Sequence, residues 1–319
     1  MTLNQLQVFV LVARLGSASA AARALGVTEP AVSKALSALR KHFGDPLLER
    51  QGNGMELTAG GRRLLAIAAQ MVALGDEAEQ AVRATTGAPE RVRITAAPTF
   101  ADRVAPTLLD AFTSKGDVEA TLGLGTKEEM AALLHERMAD VVIGPKLDGE
   151  LGRGLDAAPL LRYRLILVAE ADLAASIGPG PADRLRQQHW LLGPDAADEA
   201  APVRRLVEHL KVPEERLRVF ASIREAWSAA ESGHGIAPAV EHLVRAELDR
   251  TALVPLPVQG FPVELMWWIS SQPTDRRSHV VSDFRRFVAS PPALQAMHHP
   301  VGGVHPSRFR PPVHITIWS

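Results

Sequence analysis

Apolar residues recur at helical spacing from the start of the chain. Leu3, Leu6, Phe9, Val10 and Ala13 share one face and Gly16 ends the run, which predicts a first amphipathic helix. Ser17 stands as an N-cap before Ala18–Leu25, where small alanines admit a close neighbour. Gly26 permits a tight turn, and Val27 is placed to plug the junction. Thr28 caps a third helix from about Glu29 to His42, with Pro30 in the first turn, where a missing N–H costs little. Val32, Leu36, Leu39 and Phe43 form its buried stripe, and Ala31, Ser33, Lys34, Ser37 and Lys41 lie off it. Short polar groups beside basic ones suit a helix pressed into a major groove, because bulky side chains would hold it away from base edges. A generic helical hairpin with a solvent face is the alternative. The alanine-rich second helix, the Gly-Val turn and the Thr-x-Pro start weigh against it.

Two short extended runs, Asp45–Arg50 and Met55–Leu57, flank the glycine-rich Gln51–Gly54 and predict a small β-wing. Arg50 at its base suits a phosphate contact, or equally a surface ion pair. Thr58 caps a long helix from about Ala59 to Ala84, whose broad apolar face includes Leu64, Ile67, Met71, Leu74 and Val82. That face suits the same helix of a second chain, giving a homodimer, or else the chain's own C-terminal domain. The expected organisation is a head over 1–58, a linker and dimerisation helix over 59–86, and a hinge over 87–90 at Gly87-Ala88-Pro89.

Beyond the hinge the period alternates. Val92–Ala96, Val118–Gly123 and Asp140–Gly144 read as strands, separated by helices over about Phe100–Phe112 and Lys127–Arg137. This βαβαβ order predicts a mostly parallel sheet covered by helices. Further strands are expected at Arg164–Ala169, Trp190–Leu192, Leu217–Ala221, Gly233–Ile236, Leu253–Pro257 and Leu265–Ile269, with helices near Ala201–His209, Glu225–Ser232 and His279–Val288. From Pro291 to Ser319 the chain holds four histidines and six prolines, which argues against a packed helix there; a short edge strand is expected at His314–Trp318.

Composition narrows the function. The chain has 319 residues, a net charge of -1 and no cysteine, which excludes disulfides, thiolate metal sites and cysteine nucleophiles. Charge is uneven: Met1–Leu65 carries eight basic and four acidic side chains, a modest excess that suits phosphate but is also ordinary surface variation. No export signal and no membrane span is apparent, so a cytoplasmic protein is expected. No hydrolase elbow, zinc-protease pair or phosphate loop occurs, so no catalytic residue, metal site or cofactor is expected.

The run Leu6, Phe9, Ala21, Ala22, Leu25, Pro30, Ala31, Val32, Ser33, Leu36, Leu39, Phe43, Gly44, Leu47, Leu48, Arg50, Leu57, Thr58 and Gly60 closely resembles the LysR-type transcriptional regulators. The resemblance implies an all-α winged helix-turn-helix, a linker helix, a C-terminal α/β two-lobed effector domain like the periplasmic binding proteins, and assembly as a homotetramer. It makes Thr28–Lys41 the recognition helix and sets Pro30, Ser33 and Lys34 nearest the DNA. The DNA-binding set is then Thr28, Glu29, Pro30, Ala31, Ser33, Lys34, Ser37, Lys41, Arg50 and Asn53. Four positions depart from the family: Glu29 replaces the usual Gln, Lys34 a common Arg, Arg40 the usual Glu and Asn53 a frequent wing Arg. Glu29 can accept from cytosine N4 but cannot make the amide pair to adenine.

The same resemblance implies lobe one over 91–160 and 268–290, lobe two over 161–267, and a small-molecule effector between them. The matching places are Pro98, Thr99, Thr126, Gly193, Pro194 and Trp227, near strand ends and helix starts whose free N–H groups suit an anion. Taken singly, each threonine equally suits a plain helix cap, and Trp227 a core side chain. Arg103, Arg153, Arg162 and Arg164 are available to neutralise a carboxylate. Two readings of the whole chain stand: a regulator that binds duplex operator DNA under the control of an effector, and a non-regulatory ligand-binding module with a structural, dimerising N-terminus.

Overall fold

The computed structural model describes residues 1–51, 54–84, 89–114, 116–178, 183–198, 201–258, 261–300 and 313–314. Three helices open the chain: α1 (Leu3–Leu15), α2 (Ala18–Leu25) and α3 (Glu29–Phe43). The hairpin of β1 (Leu48–Gln51) and β2 (Gly54–Leu57) follows, then the long α4 (Ala59–Ala84). Gly16 and Gly44 end α1 and α3 in the left-handed conformation, with φ of 62° and 65°. Thr28 has the extended backbone of an N-cap, but its hydroxyl makes no capping bond. Its carbonyl instead accepts from the N–H groups of Ala31 (3.0 Å) and Val32 (3.2 Å), and Pro30 has no N–H to satisfy.

The head core gathers Leu6, Phe9 and Val12 of α1 with Val32, Leu36 and Leu39 of α3 and Ala68, Ala69 and Val72 of α4. Two expected members are missing. Val27 does not plug the turn, being 44% exposed, and Phe43 is 42% exposed. Phe43 lies one turn past the end of the packed stripe and stacks edge-on against His42. Leu47 and Leu48, brought back by the Gly44 turn, are buried in its stead.

The C-terminal part starts with β3 (Glu90–Ala96), α5 (Pro98–Arg103), α6 (Ala105–Thr113), β4 (Val118–Leu124), α7 (Lys127–His135) and β5 (Val141–Gly144). It continues with β6 (Asp156–Ala169), α8 (Ala171–Ile177), α9 (Asp183–Arg186), β7 (Trp190–Leu192), α10 (Pro202–His209), β8 (Leu217–Val219) and α11 (Ile223–Glu231). It closes with β9 (Ala237–Val240), α12 (Arg245–Asp249), β10 (Val254–Pro255), β11 (Val263–Ser271), α13 (His279–Val288), α14 (Pro291–His298) and β12 (Val313–His314). Strand β3 lies between β4 and β5, parallel to both, and β11 joins antiparallel to β5 and then β6. Strands β9 and β10 pair with the C-terminal half of β6, and β7 and β8 form a separate parallel pair.

Several elements differ from expectation. The single helix over 100–112 is two, because Pro106 removes one backbone donor and its ring disfavours a continuous turn; the break falls at Val104. Strand β6 has 14 residues rather than six. Its first half pairs with the C-terminal half of β11 and its second half with the N-terminal half, with a register shift at Trp267/Trp268. β6 and β11 are the longest strands among the described residues. Strand β9 begins at Ala237, directly after the expected Gly233–Ile236.

The proline argument fails at Pro291 and Pro292. They occupy the first two positions of α14, where their missing N–H groups are not needed, and the helix packs Ala293 and Met297 into the core beside α6. Of the edge strand expected at His314–Trp318, His314 pairs with β4 in parallel together with Val313 before it; residues 315–318, like the Gly87-Ala88 part of the hinge, lie outside the described residues.

His242 faces this helix, its ring centroid 5.6 Å from that of His298. Burial first, and the neighbouring His298 second, lower its pKa to about 4. Between about pH 4 and the ordinary histidine value the unfolded chain binds a proton that the native state does not, so stability falls as pH drops through that window. The expected loss is on the order of 2 kcal/mol after allowance for partial exposure, and His242→Leu should flatten the corresponding slope of Tm against pH.

The head touches lobe one through the C-terminal turn of α7. Gln70 Nε2 donates to the His135 carbonyl at 3.2 Å, Arg14 pairs with Glu136, and Met138 packs at the edge of the head core. Burial lowers the Arg14 guanidinium to about 10.

Candidate functional site

Helix α3 has two faces. Val32, Leu36 and Leu39 anchor it, while Thr28, Glu29, Pro30, Ala31, Ser33, Lys34, Ser37 and Lys41 are all exposed. Positions 30, 33, 34, 37 and 41 align because residues three and four apart stack on one helix face. The outcome is a solvent-facing strip of small and hydroxyl side chains with two ammonium groups. Arg50 is exposed on β1, opposite Met55. Asn53 lies outside the described residues.

Arg40 locks this helix to the wing. Its Nε donates to the Pro46 carbonyl at 2.8 Å and its Nη2 to the Leu48 carbonyl at 3.0 Å. A glutamate at this position could supply neither donor. Arg40→Ala is expected to cost about 1–2 kcal/mol, two charge-assisted bonds near the surface, read as a lower melting temperature of the full chain. Behind the wing, the Asp45 carboxylate accepts from Leu47 N–H and Thr58 Oγ1, both at 2.7 Å. The Thr58 hydroxyl first, then the Leu47 N–H, hold Asp45 below the ordinary carboxylate range.

The second feature is a cleft, open to solvent, beside the paired strands β6 and β11. Pro98, Thr99, Gly193 and Trp227 line it, as do Tyr163, Leu165, Trp267, Asp195 and Asp198. Trp227 is 4% exposed and donates from Nε1 to the Pro238 carbonyl at 3.0 Å, so it is a core side chain with one edge in the cleft. Thr126 and Pro194 are not in the lining. Thr126 caps α7: its hydroxyl accepts from Glu129 N–H at 3.3 Å and its own N–H donates to Glu129 Oε2 at 2.8 Å.

None of the four arginines available in the sequence to neutralise a carboxylate is in the lining. Arg103 donates to the Leu243 carbonyl and lies over the Trp227 ring. Arg153, Arg162 and Arg164 pair with Glu150, Glu264 and Glu241. The free N–H groups are also taken. Thr99 donates from N–H (3.4 Å) and Oγ1 to Asp195, and Lys127 N–H donates to Asp198 Oδ2 at 3.0 Å. Burial pushes the Asp195 carboxyl up, against the two Thr99 donors that pull it down. Sequence reasoning missed both aspartates. Their one signal is spacing: three apart in the short 3₁₀ turn Pro194–Ala197 and its cap, they fall on one face.

Comparison with known proteins decides the family. Residues 3–62 match the model described as bacterial regulatory helix-turn-helix protein, lysR family, and residues 85–290 the LysR substrate binding domain. The chain belongs to the LysR family. An uncharacterized HTH-type transcriptional regulator of Mycobacterium tuberculosis, Rv0377, is 34% identical to this LysR-family chain, with 100% of both chains covered. The crystal structure of CbnR, a LysR family transcriptional regulator, superposes with a TM-score of 0.60 at 21% identity, covering 93% of this chain and 99% of that one. Full-length CbnR in complex with its target DNA gives 0.57 at 21%, covering 90% and 99%. This LysR-family protein is therefore a transcriptional regulator with a DNA-binding head and an effector domain, and not an enzyme. Among the described residues no helix is long and apolar enough to cross a membrane.

Proposed function

We propose that the exposed face of α3 enters the major groove of operator DNA. Pro30, Ser33 and Lys34 meet base edges, Thr28, Glu29, Ala31, Ser37 and Lys41 flank them, and Arg50 and Asn53 meet phosphate. The observation that carries this reading is the complete exposure of one small, hydroxyl-bearing and basic strip on a helix whose opposite face is fully anchored. CbnR binds its target DNA with the same overall fold, which supports the reading. Helix α4 leaves Ile67 59% and Leu74 50% exposed, together with Met71 and Val82. A second copy covering that face would set two heads on a two-fold-related site. DNA is the partner, so the working compartment is the cytoplasm.

The effector binds in the cleft, between a lobe over 91–160 and 268–290 and one over 161–267, with 87–90 as the hinge. Helix α7 offers a mechanical route from cleft to head. Its first N–H takes Asp198 from across the cleft, and the turn after its last residue touches α1 and α4. A ligand that changes the lobe spacing shifts α7, and α7 shifts the head.

The test is binding to DNA upstream of the protein's own gene at about 50 and 200 mM salt. Preference over random duplex, weakening steeply with salt, is the expected result. Equal binding to any duplex by the folded protein would overturn it.

A further inference from the structure

The cleft has a chemistry of its own. Its charged lining side chains are Asp195 and Asp198, and no lysine, arginine or histidine joins them among the described residues. Cations on residues next to the lining are committed elsewhere. Lys127 gives its ammonium to Asp148 at 2.5 Å, Lys146 lies 4.8 Å from the Trp268 ring centroid, and Arg103 lies 5.4 Å from that of Trp227. The backbone donors at Thr99 and Lys127, where a ligand carboxylate or phosphate would sit, already hold the two aspartates. An anion entering the cleft would meet two carboxyl side chains and find no free backbone donor at those two places.

The remaining wall is flat and apolar. Tyr163 stacks on Trp267 with ring centroids 4.2 Å apart, and Trp227, Leu165, Leu265 and Val203 complete it. The Tyr163 hydroxyl has no hydrogen-bond partner among the described residues, and the field of Asp195 reaches it, adding to the effect of burial in raising its pKa.

We infer that the effector is a cation, an amine or guanidinium on a flat apolar body, whose charge pairs with Asp195 and whose body lies against the aromatic wall. This rests on the cleft being the effector site. A positive group beside Asp195 completes a neutralisation that Thr99 only begins.

The experiment measures calorimetric binding of three matched probes to the full-length protein: tryptamine, neutral tryptophol and anionic indole-3-propionate. Tryptamine should bind at least about tenfold tighter than indole-3-propionate, with tryptophol between them. Asp195→Asn should collapse that ratio to about twofold, and Val203→Trp, which fills the cleft, should abolish binding of all three. Asp198→Asn provides a second test of the charge dependence if D195N does not fold. Indole-3-propionate binding as tightly as tryptamine, and blocked by V203W, overturns the cation assignment but leaves the cleft as the ligand site. Probe binding that V203W does not affect overturns the cleft reading itself. No binding of tryptamine at millimolar concentration overturns the inference.

Discussion

Gly61→Ala is expected to unfold the DNA-reading head while the effector domain stays folded. A β-carbon at position 61 would stand 2.0 Å from the Leu47 carbonyl oxygen and 2.9 Å from its carbon. Leu47 cannot give way. It is 2% exposed, sits at a φ of 60°, donates its N–H to Asp45 and accepts from Thr58 N–H at 3.1 Å. Relief would require α4 to pull away from α1, opening the core around Ala68, Ala69 and Val72. Backbone overlap of this kind costs on the order of 3 kcal/mol or more, a large share of a small domain's stability. Gly60→Ala is the comparison, because its β-carbon would meet side-chain atoms of Asp45 rather than backbone, so relief costs at most the bonds from Leu47 and Thr58 and a smaller loss is expected. A thermal melt should show a low-temperature transition in G61A, with operator binding lost. A melting profile matching wild type would mean that the α4 junction tolerates displacement.

Lys34→Ala should weaken operator binding about tenfold without lowering the melting temperature. Lys34 is exposed in the middle of the anchored helix and makes no ion pair among the described residues, so its loss removes nothing from the fold. If its ammonium meets a phosphate, the slope of log affinity against log salt should fall by about one and all sequences should suffer alike. If it meets a base, the loss should concentrate on the operator and spare random duplex. Unchanged affinity on both would remove Lys34 from the interface.

The head was legible because its information is local. The spacing of Leu6, Phe9, Val32, Leu36 and Leu39 states which faces are buried, and Gly16 and Gly44 state where helices stop. The exposed strip of α3 follows from the same periodicity. What misled was also local. Prolines at 291 and 292 read as breakers, although at a helix start they are tolerated, and Phe43 continued an apolar pattern beyond the surface that pattern packs against.

The cleft is different, because it is assembled from segments far apart in the chain. Chain order gives no sign that Asp195 reaches Thr99, 96 residues away, or that Asp198 reaches Lys127, 71 residues away. Nor does it say that four arginines suited to a carboxylate would each be engaged outside the lining. Periodicity sets which face of an element turns inward. Charge at a site depends on which elements meet there, and that is settled only when segments far apart in the chain fold together and bring distant side chains into one place.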